Sequence, residues 1–172
     1  MESTERTRRA IRGAVTGAVL FVLCVVQTTV CGRWKLFGAV PDLMLCAVVL
    51  IGYCRGREAG AIAGIAAGVM TAMLGSVGVT VEPVFYMVVG YVSGWFARAV
   101  YPKGLRTYAV FLAAALPFCA VRTVIQACLT HSNPHPAMLL VYAVLPELGG
   151  TAIMGLVLFY PLRFLLGRSN KR

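Results

Sequence analysis

Three ionisable residues lie inside long apolar stretches of this 172-residue chain. Asp42 follows Pro41, Arg122 has Gln126 one turn later, and Glu147 follows Pro146. Charged side chains are costly against lipid, so such groups turn toward a bundle interior and find partners. If each stretch is a helix rising 1.5 Å per residue, Asp42 lies about 9 Å, Arg122 about 10 Å and Glu147 about 15 Å below the outer end of its span. A long guanidinium reaches either carboxylate from there. An Arg122–Asp42 or an Arg122–Glu147 pair is therefore expected in the outer half of the bundle. Its role could be to fix helix order, to form a proton or substrate site, or to present a surface to another membrane protein.

No other residue set offers a chemical constellation. His131 and His135 fall in Thr130-His131-Ser132-Asn133-Pro134-His135-Pro136. A spacing of four suits a metal only on a helix, and the two prolines prevent one there. Cys24, Cys46 and Cys119 sit within apolar runs, where cysteine behaves as a small hydrophobe. Cys54 falls at a cytoplasmic end, and Cys31 and Cys128 near the outer face, where pairing is conceivable but packing is the expected role. There is no Cys-x-x-Cys, His-Glu-x-x-His, Gly-x-Ser-x-Gly, phosphate-binding loop or dinucleotide fingerprint. No catalytic, cofactor or metal residue is assigned, and a non-enzymatic protein is expected.

The elements that must carry the trio follow from composition and charge. Apolar residues make up 59% of the chain and charged residues 13%, with a mean hydropathy of +0.81; an ordinary soluble domain runs near half apolar and a quarter charged. Six apolar runs, 13–31, 36–54, 59–76, 81–101, 107–129 and 137–162, have the length of membrane-crossing helices. They do not alternate as barrel strands would. Sixteen basic and six acidic residues give a net charge of +10. Thirteen of the basic residues stand at the start, at the second and fourth breaks, and at the end: Arg6, Arg8, Arg9, Arg12; Arg55, Arg57; Arg98, Lys103, Arg106; Arg163, Arg168, Lys171, Arg172. Only Arg33 and Lys35 lie on the other side. This is the asymmetry of cytoplasmic loops, and it reads as contact with lipid headgroups, not nucleic acid. The expected architecture is an all-α, six-span membrane domain in one bundle, with basic cytoplasmic tails at 1–12 and 163–172.

Gly60, Gly64 and Gly68 recur every four residues, with Ala72 and Ser76 continuing the stripe, and Gly90 and Gly94 give the next span a matching groove. Such faces let two helix backbones approach closely in a membrane. The stripe is expected to pack within the chain or to receive a partner's helix. Pro41, Pro117 and Pro146 are expected to interrupt their spans. The Pro-acid pairs Pro41-Asp42 and Pro146-Glu147 suit helix starts. Trp34, Tyr53, Trp95, Tyr101 and Tyr160 are expected as interface anchors.

Val40-Pro41-Asp42-Leu43-Met44-Leu45 resembles the signature of the MreD family of bacterial rod-shape-determining membrane proteins. The basic turn Arg55-Gly56-Arg57, the stripe Gly60, Gly64, Gly68, the pair Gly90-Tyr91 with Gly94, and the ending Tyr160-Pro161-Leu162-Arg163 are similar to that family in order and spacing. One departure is Ala72, where the family commonly has an Asp. The resemblance implies a fold similar to the substrate-binding subunits of energy-coupling-factor transporters. It also implies a scaffold role in the bacterial cell-wall elongation complex at the plasma membrane. The implied partners are MreC, MreB, RodA and a class B penicillin-binding protein. The alternative readings are a vitamin-type transport subunit, suggested by Ala10, Ala14 and Ala18, and a small ion or proton carrier, suggested by the buried trio.

The charge asymmetry makes a direct prediction. A reporter that matures only in the cytoplasm, fused after Arg172, is expected to be active, and one that matures only outside the cell to be silent; the reverse pattern overturns the topology.

Overall fold

The structure, a computed structural model, describes residues 2–31, 41–74, 81–97, 104–130 and 144–168. The His131–His135 loop, Arg33, Lys35, Trp34, Tyr101, Ser76 and the expected starts of spans two (36–40) and six (137–143) lie outside the described residues, as does any pairing that involves Cys31. The described elements are all helical: α1 (Glu2–Val26), a π-helical turn (Gln27–Cys31), α2 (Leu43–Arg55), α3 (Arg57–Leu74), α4 (Glu82–Phe96), α5 (Leu105–Thr130) and α6 (Leu145–Arg168). Three of them hold segments long and apolar enough to cross a membrane, Arg57–Leu74, Leu105–Ile125 and Leu145–Phe164. The shorter α2 and the stretch Gly13–Thr29, which runs from α1 into the π-helical turn, are also apolar.

The arrangement follows from α2, whose sequence LMLCAVVLIGYCR carries no charge before its last residue. A helix apolar on every side must be surrounded, and every residue from Leu43 to Tyr53 is buried. Around it stand α1, α3, α4, α5 and α6, all of which touch it. Its 13 residues span only about 20 Å. The expected span 36–54 is corrected in its described part: the helix begins at Leu43, because Asp42 adopts a non-helical φ of −86° and ψ of 88° and caps it, its side chain accepting from the Leu45 N–H. Gly56, at φ +95°, turns the chain directly from α2 into α3, a conformation that glycine alone adopts without steric cost.

Five glycines bring α2, α3 and α4 together. A Cβ added at Gly60 would lie 2.8 Å from the Gly52 Cα, one at Gly64 2.7 Å from the Met87 N, and one at Gly68 2.8 Å from the Glu82 carbonyl carbon. Gly90 meets Gly60 in return, and Gly94 meets Arg57 at the turn. The stripe is thus filled by this chain's own α4 and α2. The expectation that it could receive a partner's helix is corrected: backbone already occupies it. Gly52, the third member of the contact, stands outside the four-residue repeat and was not singled out from sequence.

Other expectations shift as well. The segment 1–12, expected as a tail, is helical from Glu2 onward, and α6 carries helix through to Arg168. Pro117 lies within an unbroken α5, whereas Pro41 precedes α2 and Pro146 is the second residue of α6, where its missing N–H is not needed. Tyr53 is buried rather than an interface anchor, and its hydroxyl donates to the Gly104 carbonyl at 3.3 Å. Trp95 and Tyr160 are exposed. The bundle's exterior is apolar over much of its described surface, with Ile62, Met73, Val84, Val110, Val157 and Phe164 outward. Such a surface suits lipid rather than water.

Replacing Gly64 with Ala is expected to lower stability by roughly 1–3 kcal/mol, because the new methyl meets α4 backbone that cannot rotate away. Gly149→Ala, with nothing within 4 Å of its added Cβ, is expected to be neutral or slightly stabilising. Thermal unfolding in detergent reads the contrast.

Candidate functional site

The starts of α2 and α6 and the facing sections of α4 and α5 converge on one buried cluster. Asp42, as the cap of α2, turns its Oδ1 to the Leu45 N–H at 2.9 Å and leaves Oδ2 pointing into the bundle. Its own N–H donates to Thr151 Oγ1 of α6 at 2.9 Å. Glu147 lies in the first turn of α6, where the helix dipole favours an anion. Tyr86 of α4 and Arg122 of α5 are both buried in the same cluster.

The guanidinium bonds to both carboxylates. Nη1 donates to Asp42 Oδ2 at 2.9 Å and to the Tyr86 hydroxyl at 2.6 Å, and Nη2 donates to Glu147 Oε1 at 2.7 Å. The Tyr86 hydroxyl in turn donates to Asp42 Oδ2 at 2.6 Å. Arg122 Cζ also stands 5.6 Å from the Tyr86 ring centroid, within the range of a cation–π contact. The second oxygen of Glu147 has Thr123 Oγ1 at 2.8 Å, and the Cys119 thiol donates to Oε1 at 3.3 Å. Cys46 Sγ lies 3.3 Å from the Asp42 carbonyl and 3.4 Å from that of Thr151, closing the seam between α2 and α6.

The expected pairing left two partners open; the structure gives Arg122 both, at side-chain exposures of 10% for Arg122, 2% for Asp42 and 12% for Glu147. Asp42 stands just before α2 and Glu147 in the first turn of α6, as expected of Pro-acid pairs that begin helices; the outer ends that set their expected depths lie outside the described residues. Gln126 has its side chain outside the described set. The sequence reading missed Tyr86, Thr151, Cys119 and Thr123, and also Glu82 on the same face of α4. No pattern within a single segment singles them out.

Ligand atoms of Asp42, Cys119 and Glu147 lie within 4.8 Å of one another, a convergence that in other settings holds a metal. Here the cation they surround is the guanidinium of Arg122, bonded to both acids. A divalent ion would have to displace it. The described basic residues Arg55, Arg57, Arg106 and Arg163 lie at the opposite end of the bundle: the Tyr53–Gly104 bond ties the end of α2 to the start of α5, and Tyr108 packs on Phe159 of α6. The cluster is thus the polar end of an interior whose other end is aromatic and basic.

Removing one partner of a buried ion pair leaves the other charge uncompensated, at a cost of about 3–5 kcal/mol. Arg122→Leu, which strands two carboxylates, is expected to lose at least that much and to lower folded yield sharply. Tyr86→Phe removes hydrogen bonds to charged groups and is expected to cost roughly 1–3 kcal/mol. Equal stability of Arg122→Leu and the unaltered chain in detergent would mean that the ion pairs do not hold the fold.

The chain matches no family model, no curated protein and no solved structure.

Proposed function

We propose that this chain is a non-enzymatic membrane scaffold of the kind its resemblance to the MreD family implies. In this reading it is a six-span bundle in the bacterial plasma membrane with both termini in the cytoplasm. It binds MreC and works in the same complex as MreB, RodA and a class B penicillin-binding protein. The observation that carries the reading is the pairing of Arg122 with both Asp42 and Glu147 inside the bundle. These charges hold α2, α5 and α6 to one another, and of the trio's side-chain atoms Arg122 Nε is buried without a hydrogen-bond partner among the described residues. A rigid core with an apolar outer surface is what a scaffold embedded in lipid requires.

The glycine stripe is covered from inside, so a partner helix must meet α3 from its other side. That side presents Ile62, Ile65, Val69 and Met73, spaced three or four residues apart and hence on one helix face. We assign this stripe as the face for MreC.

A second reading, a transport subunit, draws support from Ala10, Ala14 and Ala18, which are all exposed on α1 and offer a small-residue face for another helix. Saturable binding of a water-soluble vitamin to the purified chain would favour it.

A photo-crosslinking residue at Ile62 or Val69 is expected to capture MreC in cells, and one at Val157 on α6 is not. Depletion is expected to cost rod shape without any uptake defect. No capture at either α3 position where MreC is present, with shape retained on depletion, overturns the scaffold reading.

A further inference from the structure

Glu82 is the acid that the ion-pair cluster leaves over. It is the first residue of α4 and 8% exposed, and its Oε2 has no hydrogen-bond partner among the described residues. It stands one helical turn before Tyr86, hence on the face of α4 that bears on Asp42 and Arg122. The charges that act on it are Arg122 from α5, Asp42 from the start of α2 and Glu147 from α6. The Cys24 thiol, beside Thr71 of α3, is near it from α1, and Gly68 of α3 packs against its backbone.

Arg122 is the sole buried basic side chain among the described residues, and it is already shared between two carboxylates. The formal charge of Asp42, Glu147 and Arg122 together is −1, and a charged Glu82 would add a second negative charge in a space of low dielectric. The partial positive charge at a helix N-terminus, about half a unit, does not balance that. A metal cation needs several converging oxygen ligands, and Glu82 stands outside the one group of acids and thiols that converges among the described residues. A proton needs a single oxygen.

We propose that Glu82 is a proton-binding site, whose carboxyl carries an exchangeable proton at neutral pH and is the member of the cluster that takes up and releases charge. The assignment is independent of the scaffold reading, since it rests on an unpartnered oxygen and an excess of buried acid rather than on any partner. Release of the proton leaves a carboxylate whose nearest described base is Arg122, already shared between Asp42 and Glu147. Uptake restores the balance that Arg122 alone maintains.

Infrared spectra of the full chain in lipid vesicles at neutral pH test this. The expected result is a carbonyl stretching band of a protonated carboxyl that shifts in D2O, is lost in Glu82→Gln, and persists at a changed frequency in Glu82→Asp. Absence of the band from the unaltered chain, or its full retention in Glu82→Gln, overturns the proposal. If Glu82→Gln does not fold, dicyclohexylcarbodiimide adducts on the unaltered chain decide, mapped by peptide mass. Modification at Glu82 that declines as pH rises supports the assignment. Adducts confined to Asp42 or Glu147, no adduct at all, or protection by sodium at fixed pH overturns it, the last because sodium would then be the ligand.

Discussion

A single guanidinium holds three carboxyl-bearing or hydroxyl-bearing helix segments in register. Arg122 reaches from α5 to the cap of α2, to α4 through Tyr86, and to the first turn of α6. In an apolar interior each of these groups would be costly alone, and the fork geometry of the guanidinium answers two acids at once. The cap of α2 depends on this arrangement, because Asp42 gives one oxygen to its own helix and the other to Arg122. Because α2 is the axis on which the other helices pack, the position of Arg122 propagates to the whole bundle.

The second constraint is steric. Where α2, α3 and α4 meet, backbone touches backbone, and the gain is dispersion and close packing rather than burial of large side chains. Such a contact tolerates no added atom, so it fixes distance as firmly as the ion pairs fix depth. The two constraints act at different places along α4. Gly90 and Gly94 set its spacing from α2 and α3 toward the basic end, and Tyr86 ties it to the polar cluster at the other.

The resulting protein is inverted relative to one folded in water. Its described exterior is largely apolar and four of its charged side chains, Asp42, Glu82, Arg122 and Glu147, are buried inside, an arrangement that suits lipid. In such a body the buried acids carry whatever chemistry there is. Those bonded to Arg122 serve position, and Glu82, which is not, is the group left able to change its charge.

The sequence by itself determined that the chain is helical and membrane-embedded in character, and that Asp42, Arg122 and Glu147 needed one another. Hydropathy and the rarity of buried charge are properties of composition and linear order, legible without coordinates. It also placed the glycines Gly60, Gly64, Gly68, Gly90 and Gly94 on close-packing faces, because a repeat of four is one side of a helix. Only the tertiary structure decided that this face is closed by the chain itself, that Gly52 completes it, that Tyr53 is core, and that Arg122 meets Asp42 and Glu147 at once. It alone brought Tyr86, Thr151, Cys119 and Glu82 to the cluster. These residues are unremarkable in linear order, since a tyrosine or a glutamate at a helix end is usually solvated. What changed their role is which helices stand next to one another, and that depends on the packing of α2 against five neighbours rather than on any pattern within a single segment.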